Sequence, residues 1–573
     1  MKTAVKTIID KVNEYLCEDF TPELKQAIKI EADSRRGDLS LAAISLERKI
    51  DEDYPHRSLA GDLLSGIGSF GSDFTDVRVV NGFLNFSLDK EKLISRTLTE
   101  VLSLGDQYGR NNQGEGKKVV VDYSAPNVGK PLHVGHIRST ILGDSLIRMM
   151  DFSGFETHGI NYIGDVGLHI GKILHAYKEK GSLERLEANP EGELLDLYVS
   201  FCKEEKEDSS LADKAKAQVQ LVEEKDPETL EILNTITKYS LLSFDRVYEL
   251  LNTHIDETRG QSHFSDAGKK IVERALETGL AEKTKDGAVV MKLQEYGLPD
   301  KIVLRSDGTA IYSTQDLGAA VQRYEDHQFD RMLYVVGEAQ ALYFRQLFKS
   351  LELLGHEWSG KCEHVGFGLI NLEEGKMATR EGNVVYLEEL LQKAIARSKE
   401  VIEVKNPELK DKDEVARVVG IGAVKYQVLS IDNVKDINFS WNRSLNFEGK
   451  SSPNIQYTYA RARSVMEKVG YSKDHIDQLN FSPEQLSGPE EYALIKKMAL
   501  FPKVVESACD SLRPNVLATY GYELAATFNK MYGSTRILED DNKIESRMAL
   551  LGSYRQVIKN CMGLLGIGMV EEM

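Results

Sequence analysis

Cysteine is scarce: Cys17, Cys202, Cys362, Cys509 and Cys561 are the only five in 573 residues. They stand far apart and form no CxxC pair. That argues against zinc and disulfides and for a reducing, cytoplasmic setting. No apolar run approaches the length of a membrane span. The amino terminus, Met-Lys-Thr-Ala-Val-Lys-Thr-Ile-Ile-Asp-Lys, has no long apolar core, so no signal peptide is expected. A basic excess is missing too: 72 Lys+Arg face 90 Asp+Glu, a formal charge of −18. Taken alone, that sign argues against nucleic acid. The deficit is uneven, however. Residues 449–573 hold 15 Lys+Arg against 15 Asp+Glu, so all the excess acid lies before them. Any RNA binding must come from local patches that bulk charge does not reveal.

The length exceeds what one core organises and predicts three or four domains. Hydrophobic content of 41% and charged content of 28% are those of a soluble globular protein. Apolar residues at helical spacing cover Val5–Leu16. An alternating segment, Val77–Leu88, turns at Asn81-Gly82 and predicts a hairpin. The turn-rich stretch Gly109–Gly116 reads as a linker.

Residues 118–150 organise the rest. Lys118–Ser124 is a short valine-rich run and reads as a buried strand. Pro126, Gly129 and Pro131 break regular structure. From Ile137 the apolar residues (Ile141, Leu142, Leu146, Met149, Met150) recur at helical spacing. His133 and His136 therefore stand where a strand's carboxyl end meets a helix amino end, the ligand crevice of an open parallel sheet. Backbone N–H groups and the helix dipole favour an anion there. Gly135 between them is expected to leave room for a bulky ligand against the backbone. By residues alone the pair also reads as two surface histidines at a helix start. A metal pair would need further ligands, and no Cys/His/Asp cluster stands nearby in sequence, so no metal ligand is assigned.

Residues 178–230, dense in Glu, Lys and Asp, read as a helical insertion with a mostly solvated face, and Leu230–Leu251 packs it back on the core. A turn at Asp307-Gly308 precedes Tyr312 and Asp316. Leu333–Val336 is another short buried strand, followed by the turn Gly337–Gln340. From Leu387 onward the chain reads as helical, and residues 449–573 fit an all-α bundle.

The run Ser-Ala-Pro-Asn-Val-Gly-Lys-Pro-Leu-His-Val-Gly-His-Ile-Arg-Ser-Thr closely resembles the signature of arginyl-tRNA synthetases, a class I synthetase family. Ala125 and Gly129 depart from the family form by small-for-small changes. The resemblance recurs in order along essentially the whole chain. Gly82–Leu88 resembles the end of the family's amino-terminal extra domain. Asn161–Gly167 resembles the family's second glycine-bearing strand-to-helix turn, and Tyr312-x-x-x-Asp316, the Gln340 turn and Gln456–Arg463 resemble three more family segments. Lys376-Met377-Ala378-Thr379-Arg380 takes the place of the second class I signature, usually Lys-Met-Ser-Lys-Ser. Its second lysine is absent, and Lys130, just before the histidine motif, matches the lysine that compensates in the family.

The resemblance implies a multidomain α/β chain. Residues 1–115 would be an α+β domain that touches the tRNA elbow. Residues 116–395 would be a doubly wound, parallel, Rossmann-type catalytic domain with its insertion at about 178–251. A stem (396–448) and an all-α anticodon-binding domain (449–573) would follow. It implies an arginine–tRNA ligase that uses ATP and Mg²⁺ with L-arginine and tRNA(Arg), a cytoplasmic monomer without membrane contact, whose adenylate formation needs bound tRNA. His133 and His136 would serve ATP and the transition state, with Gly135 and Met377 beside the nucleotide. Lys130, Lys376 and Arg380 would face the β- and γ-phosphates. Asp122, Ala125, Pro126, Asn127, His136, Tyr312, Asp316 and Gln340 would line the arginine site. Family members usually add a glutamate in a Gly-Glu-Ser triplet, where this chain has Gly260-Gln261-Ser262. Tyr457, Tyr459, Arg461 and Arg463 combine stacking and phosphate-binding groups and are expected to meet tRNA. Two readings from other classes share part of the signature: a small-molecule nucleotidyltransferase, and a non-catalytic tRNA-binding paralogue.

Overall fold

The computed structural model describes residues 1–30, 37–50, 58–372, 385–471 and 480–573. Its central element follows directly from the valine run. Strand β1 (Lys118–Asp122) buries Val119, Val120 and Val121 completely, each contributing about 1.5–3 kcal/mol relative to exposure. Strands β2 (Glu156–Ile163), β3 (Glu257–Gly260), β4 (Arg331–Gly337) and β5 (Cys362–Phe367) complete the sheet. Their order is β5-β4-β1-β2-β3, and every neighbouring pair is parallel. The chain steps from β1 out to β3, then returns across β1 to lay down β4 and β5. The strand order thus reverses between β1 and β4, and a crevice opens beyond their carboxyl ends.

Helix α1 (Val134–Phe152) joins β1 to β2 and is buried on nearly all sides. One side faces the sheet and the other faces the carboxyl-terminal helices, which explains its weak amphipathic pattern. Five helices between Leu168 and Leu251 form the insertion. The expectation of a mostly solvated face over 178–230 is too simple. Leu194, Leu233, Ile236 and Tyr239 share one small core, and Leu197, Phe201, Leu211 and Ala215 share another. A small antiparallel sheet (Ala281–Lys283, Val289–Met291, Lys301–Leu304) precedes helix α2 (Tyr312–His327).

The amino-terminal unit is α+β, with helix Lys2–Leu16 and a four-stranded antiparallel sheet. Its hairpin pairs Val80 with Phe83 across Asn81-Gly82. Both turn residues have positive φ, 51° and 79°, the conformation an Asn-Gly type I′ turn demands. The Gly109–Gly116 linker is not loose: Gly114 N–H donates to the Ser153 carbonyl at 2.9 Å, and Asn111 and Gly114 are buried.

Past helix α3 (Lys412–Leu429) the expected run of helices is interrupted: a short strand, Ile437–Phe439, pairs in parallel with Ile370–Leu372, and the helical region resumes, leading to α4 (Ser452–Glu467). The carboxyl-terminal segment returns to α1. Ser145 Oγ donates to the Leu564 carbonyl at 2.9 Å. Lys425 of α3, fully buried, donates to the carbonyls of Leu251 and Gly566 and lies 3.5 Å from Asp144 of α1. Burial pushes its ammonium down to about 8, against the pull of Asp144. A Cβ on Gly566 would stand 2.5 Å from Lys425 Nζ, and the φ there is +64°, so only glycine fits.

Candidate active site

The loop after β1 carries two successive non-glycine residues in the left-handed region, Ser124 (φ 71°) and Ala125 (φ 51°). Each such residue costs on the order of 1–3 kcal/mol and persists only where its surroundings over-determine it. Here they do. Ser124 N–H donates to Ser139 Oγ at 2.9 Å, and Ala125 N–H donates to Asn161 Oδ1 at 3.1 Å. Ser124 Oγ lies 2.8 Å from the Tyr248 hydroxyl and accepts from Thr140 at 3.0 Å. Ser139 in turn donates to the Val335 carbonyl of β4 at 2.7 Å, so the loop is pinned to both sides of the crevice. Beyond it, Gly164 N–H donates to the Pro126 carbonyl at 2.9 Å. A Cβ on Gly164 would meet Asn127 Oδ1 at 2.3 Å. Ala125 and Asn127 are exposed at the crevice and Pro126 is buried.

His133 is the N-cap of α1. Its Nδ1 accepts from Gly135 N–H at 3.0 Å, and His136 Nδ1 accepts from His133 N–H at 3.1 Å. A ring nitrogen that accepts from a backbone N–H carries no proton, so each imidazole holds its proton on Nε2. The rings lie 3.9 Å apart. Burial pushes His136 down to about 3, with His133 adding to the effect. Burial and then the Lys130 charge lower His133. The pair is therefore neutral near pH 7, presenting two fixed N–H donors. A Cβ on Gly135 would stand 2.7 Å from the His133 ring, so the glycine also makes room for that imidazole.

Val385 and Leu387 tie a distant stretch to this helix end. Val134 N–H donates to the Val385 carbonyl at 3.1 Å, and Leu387 N–H to the Leu132 carbonyl at 2.9 Å. Lys376, Met377, Thr379 and Arg380 lie outside the described residues. Lys130 is half-buried, with its ammonium 4.1 Å above the Tyr198 ring of the insertion, and burial lowers its pKa.

The second part of the crevice is a set of carboxylates and phenols. Asp316 of α2 accepts from the Tyr343 hydroxyl, and burial raises its carboxyl to about 6. The Tyr312 ring lies 5.3 Å from Tyr343, and Lys301 donates to the Tyr312 hydroxyl at 3.1 Å. Among the described residues, the buried Tyr162 hydroxyl has no hydrogen-bond partner. Asp122, expected to line the arginine site, is paired with Arg323 of α2 at 3.0 Å, and both side chains are under a tenth exposed. Burial pushes the Asp122 carboxyl up while Arg323 pulls it down. Burial is the largest influence on the Arg323 charge and opposes it, but Asp122, Tyr334 and Tyr162 together hold the guanidinium above its ordinary range. The guanidinium also lies 4.7 Å from the Tyr162 ring and 5.5 Å from Tyr334.

Gln340 is exposed, ending a short 3-10 turn after β4. Gln261 opens another after β3. Its neighbours have evident work. Ser262 N–H donates to Asp165 at 2.8 Å, and a Cβ on Gly260 would collide with that carboxylate at 2.0 Å.

In α4, Tyr457 is 37% exposed, and the Arg461 guanidinium lies 4.5 Å from its ring and 5.0 Å from that of Tyr532. Tyr459 is a correction: it is 5% exposed, donates to Glu571 at 3.0 Å and stacks on Arg555, so its face is not open to a base. Arg463 pairs with Glu467 and Glu571.

Sequence reading missed Arg323, Tyr343, Tyr162, Tyr248 and Asn161. Three of them carried a signal: Asn161 and Tyr162 open the segment Asn161–Gly167 that resembles the family, and Arg323 lies two helical turns beyond Asp316 and shares its face.

Residues 97–441 match the family model of class I (R) tRNA synthetase catalytic domains, and residues 455–573 match the DALR anticodon binding domain. The arginine–tRNA ligase of Halothermothrix orenii is 37% identical over 567 residues, covering 99% of both chains. That of Clostridium acetobutylicum is 39% identical over 570 residues, again covering 99% of each. The arginyl-tRNA synthetase structure of Thermus thermophilus shares the fold at a TM-score of 0.83 with 23% identity, covering 99% of this chain and 100% of that one. With the crevice at the strand-order reversal, the paired histidine donors and these full-length likenesses in view, the chain belongs to the class I arginyl-tRNA synthetase family.

Proposed function

We infer that the protein is an arginine–tRNA ligase. An L-arginine carboxylate oxygen attacks the α-phosphorus of ATP, the bond to the β-phosphate oxygen breaks, and pyrophosphate leaves. A terminal ribose hydroxyl of tRNA(Arg) then attacks the adenylate carbonyl, gives up its proton, and AMP leaves. Neither step needs a protein nucleophile, so the work is positioning and charge stabilisation. The observation that carries this reading is the pair of neutral imidazoles, each with Nδ1 tied to backbone, at the mouth of the β1–β4 crevice. Their Nε2–H groups stabilise the α-phosphate as negative charge builds on it.

Asp316, with Tyr343, Tyr312 and the Tyr162 hydroxyl around it, receives the guanidinium, with Gln340 and Asn127 along the crevice. Asp122 acts there through Arg323. Lys130 meets the β- and γ-phosphates, together with Lys376 and Arg380. Mg²⁺ accompanies ATP. Among the described residues the crevice holds no cluster of three metal-ligating side chains, which favours an ion carried on the phosphates. The Tyr457–Arg461–Tyr532 stack offers tRNA an aromatic and cationic face, and the amino-terminal domain meets the tRNA elbow. The protein works as a cytoplasmic monomer; no helix among the described residues is long and apolar enough to cross a membrane.

The test is a charging assay with each of the twenty amino acids and total tRNA. Arginine alone should be attached, and pyrophosphate exchange should require both arginine and tRNA. Exchange without tRNA acceptance would favour a small-molecule nucleotidyltransferase. tRNA binding without adenylate would mark a non-catalytic paralogue.

Two predictions concern the nucleotide side. His133→Ala should lower kcat by about 10²–10³-fold, the loss of one aimed donor, while ATP binding changes far less. Because both imidazoles are already neutral, wild-type kcat should stay level from about pH 6.5 to 8.5, the range over which an ordinary imidazole would finish titrating. A histidine-like limb in that profile overturns the fixed-donor role. Lys130→Ala should cost about 2–4 kcal/mol of activation free energy, read from single-turnover adenylate formation. Adding Thr379→Lys should restore part of it. Wild-type kinetics in Lys130→Ala would remove the lysine from the mechanism.

A further inference from the structure

At the amino ends of the strands, on the side of the sheet away from the crevice, three potential ligands converge. His158 is the third residue of β2, Glu257 opens β3, and His327 closes α2. His158 Nε2 lies 3.2 Å and His327 Nε2 3.3 Å from the same oxygen, Glu257 Oε2. The two imidazole rings are 4.4 Å apart. The three donor atoms all lie within 4.8 Å of one another. We propose that His158, Glu257 and His327 form a binding site for a divalent transition cation, Zn²⁺ foremost, with water as the fourth ligand.

The geometry favours a cation over a plain hydrogen-bonded cluster. Bonds of about 2.0–2.1 Å to nitrogen and oxygen in a tetrahedron place neighbouring ligand atoms roughly 3.3 Å apart. Both nitrogen-to-oxygen separations match that edge. A hydrogen bond could explain the first contact, since His158 Nε2 is placed to share a proton with Glu257. It does not explain the second. His327 Nε2 is buried and, among the described residues, has no hydrogen-bond partner despite its closeness to the carboxylate. Its lone pair has a place to go only if something stands between the three groups.

The surroundings hold the carboxylate in place. Arg259 binds Glu257 through the other oxygen, Oε1, and reaches Asp326 at 2.7 Å with its second nitrogen. That leaves Oε2 facing the imidazoles, as an outer-shell group orients a ligand. Glu257 and Asp326 against Arg259 leave one formal negative charge, so a dication is electrostatically acceptable. Two imidazoles and one carboxylate form a set that suits Zn²⁺ better than the all-oxygen cations.

The site would act at a distance from the chemistry. His327 ends the helix that carries Arg323 about one turn earlier and Asp316 about three turns earlier. A bound ion would cross-link β2, β3 and the end of α2, bracing the helix that sets the arginine pocket. The charging reaction itself requires nothing from it.

The test uses the full chain stripped with a chelator and titrated with Zn²⁺ alone by calorimetry, and with Co²⁺ by visible absorption. The wild type should bind one equivalent more tightly than any remaining surface sites, show the d–d bands of a tetrahedral Co²⁺ complex, and gain thermal stability with the metal. His158→Gln/His327→Gln should lose that equivalent, or bind it at least tenfold more weakly, and should lose the Co²⁺ bands. Equal stoichiometry and affinity in wild type and variant, or no Co²⁺ bands in the wild type, overturn the proposal. If the double variant does not fold, His158→Gln alone is held to the same comparison.

Discussion

Asp316→Asn should abolish most arginine recognition while leaving the nucleotide side intact. A guanidinium is planar, always charged and carries five donors, so its site needs a carboxylate. Asp316 is such a group, half-buried among phenols and fixed by Tyr343. Its loss leaves a desolvated cation unpaired, at about 3–5 kcal/mol, seen as a fall in kcat/KM for arginine with the KM for ATP little changed. The wild-type pH profile follows from the same group. Burial holds its carboxyl at about 6. The charged form therefore dominates at pH 7.5, and kcat/KM for arginine should fall as pH drops through about 6. That limb should vanish in the Asn variant. Stability should move the other way. The folded carboxyl lies above its ordinary value of 3.8, so the stabilisation it lends is full below about pH 4 and is lost as pH rises through about 6. Asp316→Asn should then raise Tm at pH 7.5, a trade of stability for function. Unchanged arginine kinetics in this variant would move the guanidinium elsewhere. Gln261→Glu should meanwhile be tolerated.

Arg323→Leu should be the most damaging single change to the fold of the catalytic domain. It strands the buried Asp122 carboxylate, whose ion-pair partner it is, and removes a cation from two phenol rings. Breaking one side of a buried pair costs about 3–5 kcal/mol, whereas replacing both sides by apolar groups is often close to neutral. Denaturant unfolding should therefore show a large loss in Arg323→Leu and a substantial recovery in Asp122→Leu/Arg323→Leu. The recovered variant also separates two roles for Asp122. If it regains stability and arginine KM together, Asp122 acts through Arg323. If stability returns but arginine binding does not, Asp122 touches the substrate itself. No recovery of stability would mean that the pair is not the unit described.

Features set by local chemistry were legible in the chain. Three consecutive valines dictate a doubly buried strand, Asn81-Gly82 dictates the turn of the amino-terminal hairpin, and the breaks around Pro126 and Gly129 mark where the crevice opens. The helical carboxyl-terminal region followed from its apolar spacing, and the doubly wound sheet from the family resemblance. Features set by pairing across the fold were not legible. Nothing near Asp122 announces Arg323, and nothing near Asp316 announces Tyr343. Some signals were present but read by residue type rather than by position. Ile455, Tyr459, Ala462 and Met466 recur at helical spacing and form the inner face of α4, so Tyr459 was destined for the core. Leu194, Leu197 and Phe201 gave the same cue inside an insertion whose charges drew attention first. The His158–Glu257–His327 group escaped because its members come from three separate elements.

The tie between α1 and the carboxyl-terminal segment sets an order of events during synthesis. Ser145 and Leu564 are hydrogen-bonded across 419 residues of chain. At roughly 5–20 residues per second, about 20–80 s pass between the making of the two. During that interval Asp144 lacks Lys425 for most of the time, and α1 lacks the helices that cover its outer side. The nascent catalytic domain spends that interval with the outer side of α1 uncovered. It closes only when Gly566 delivers its carbonyl to Lys425.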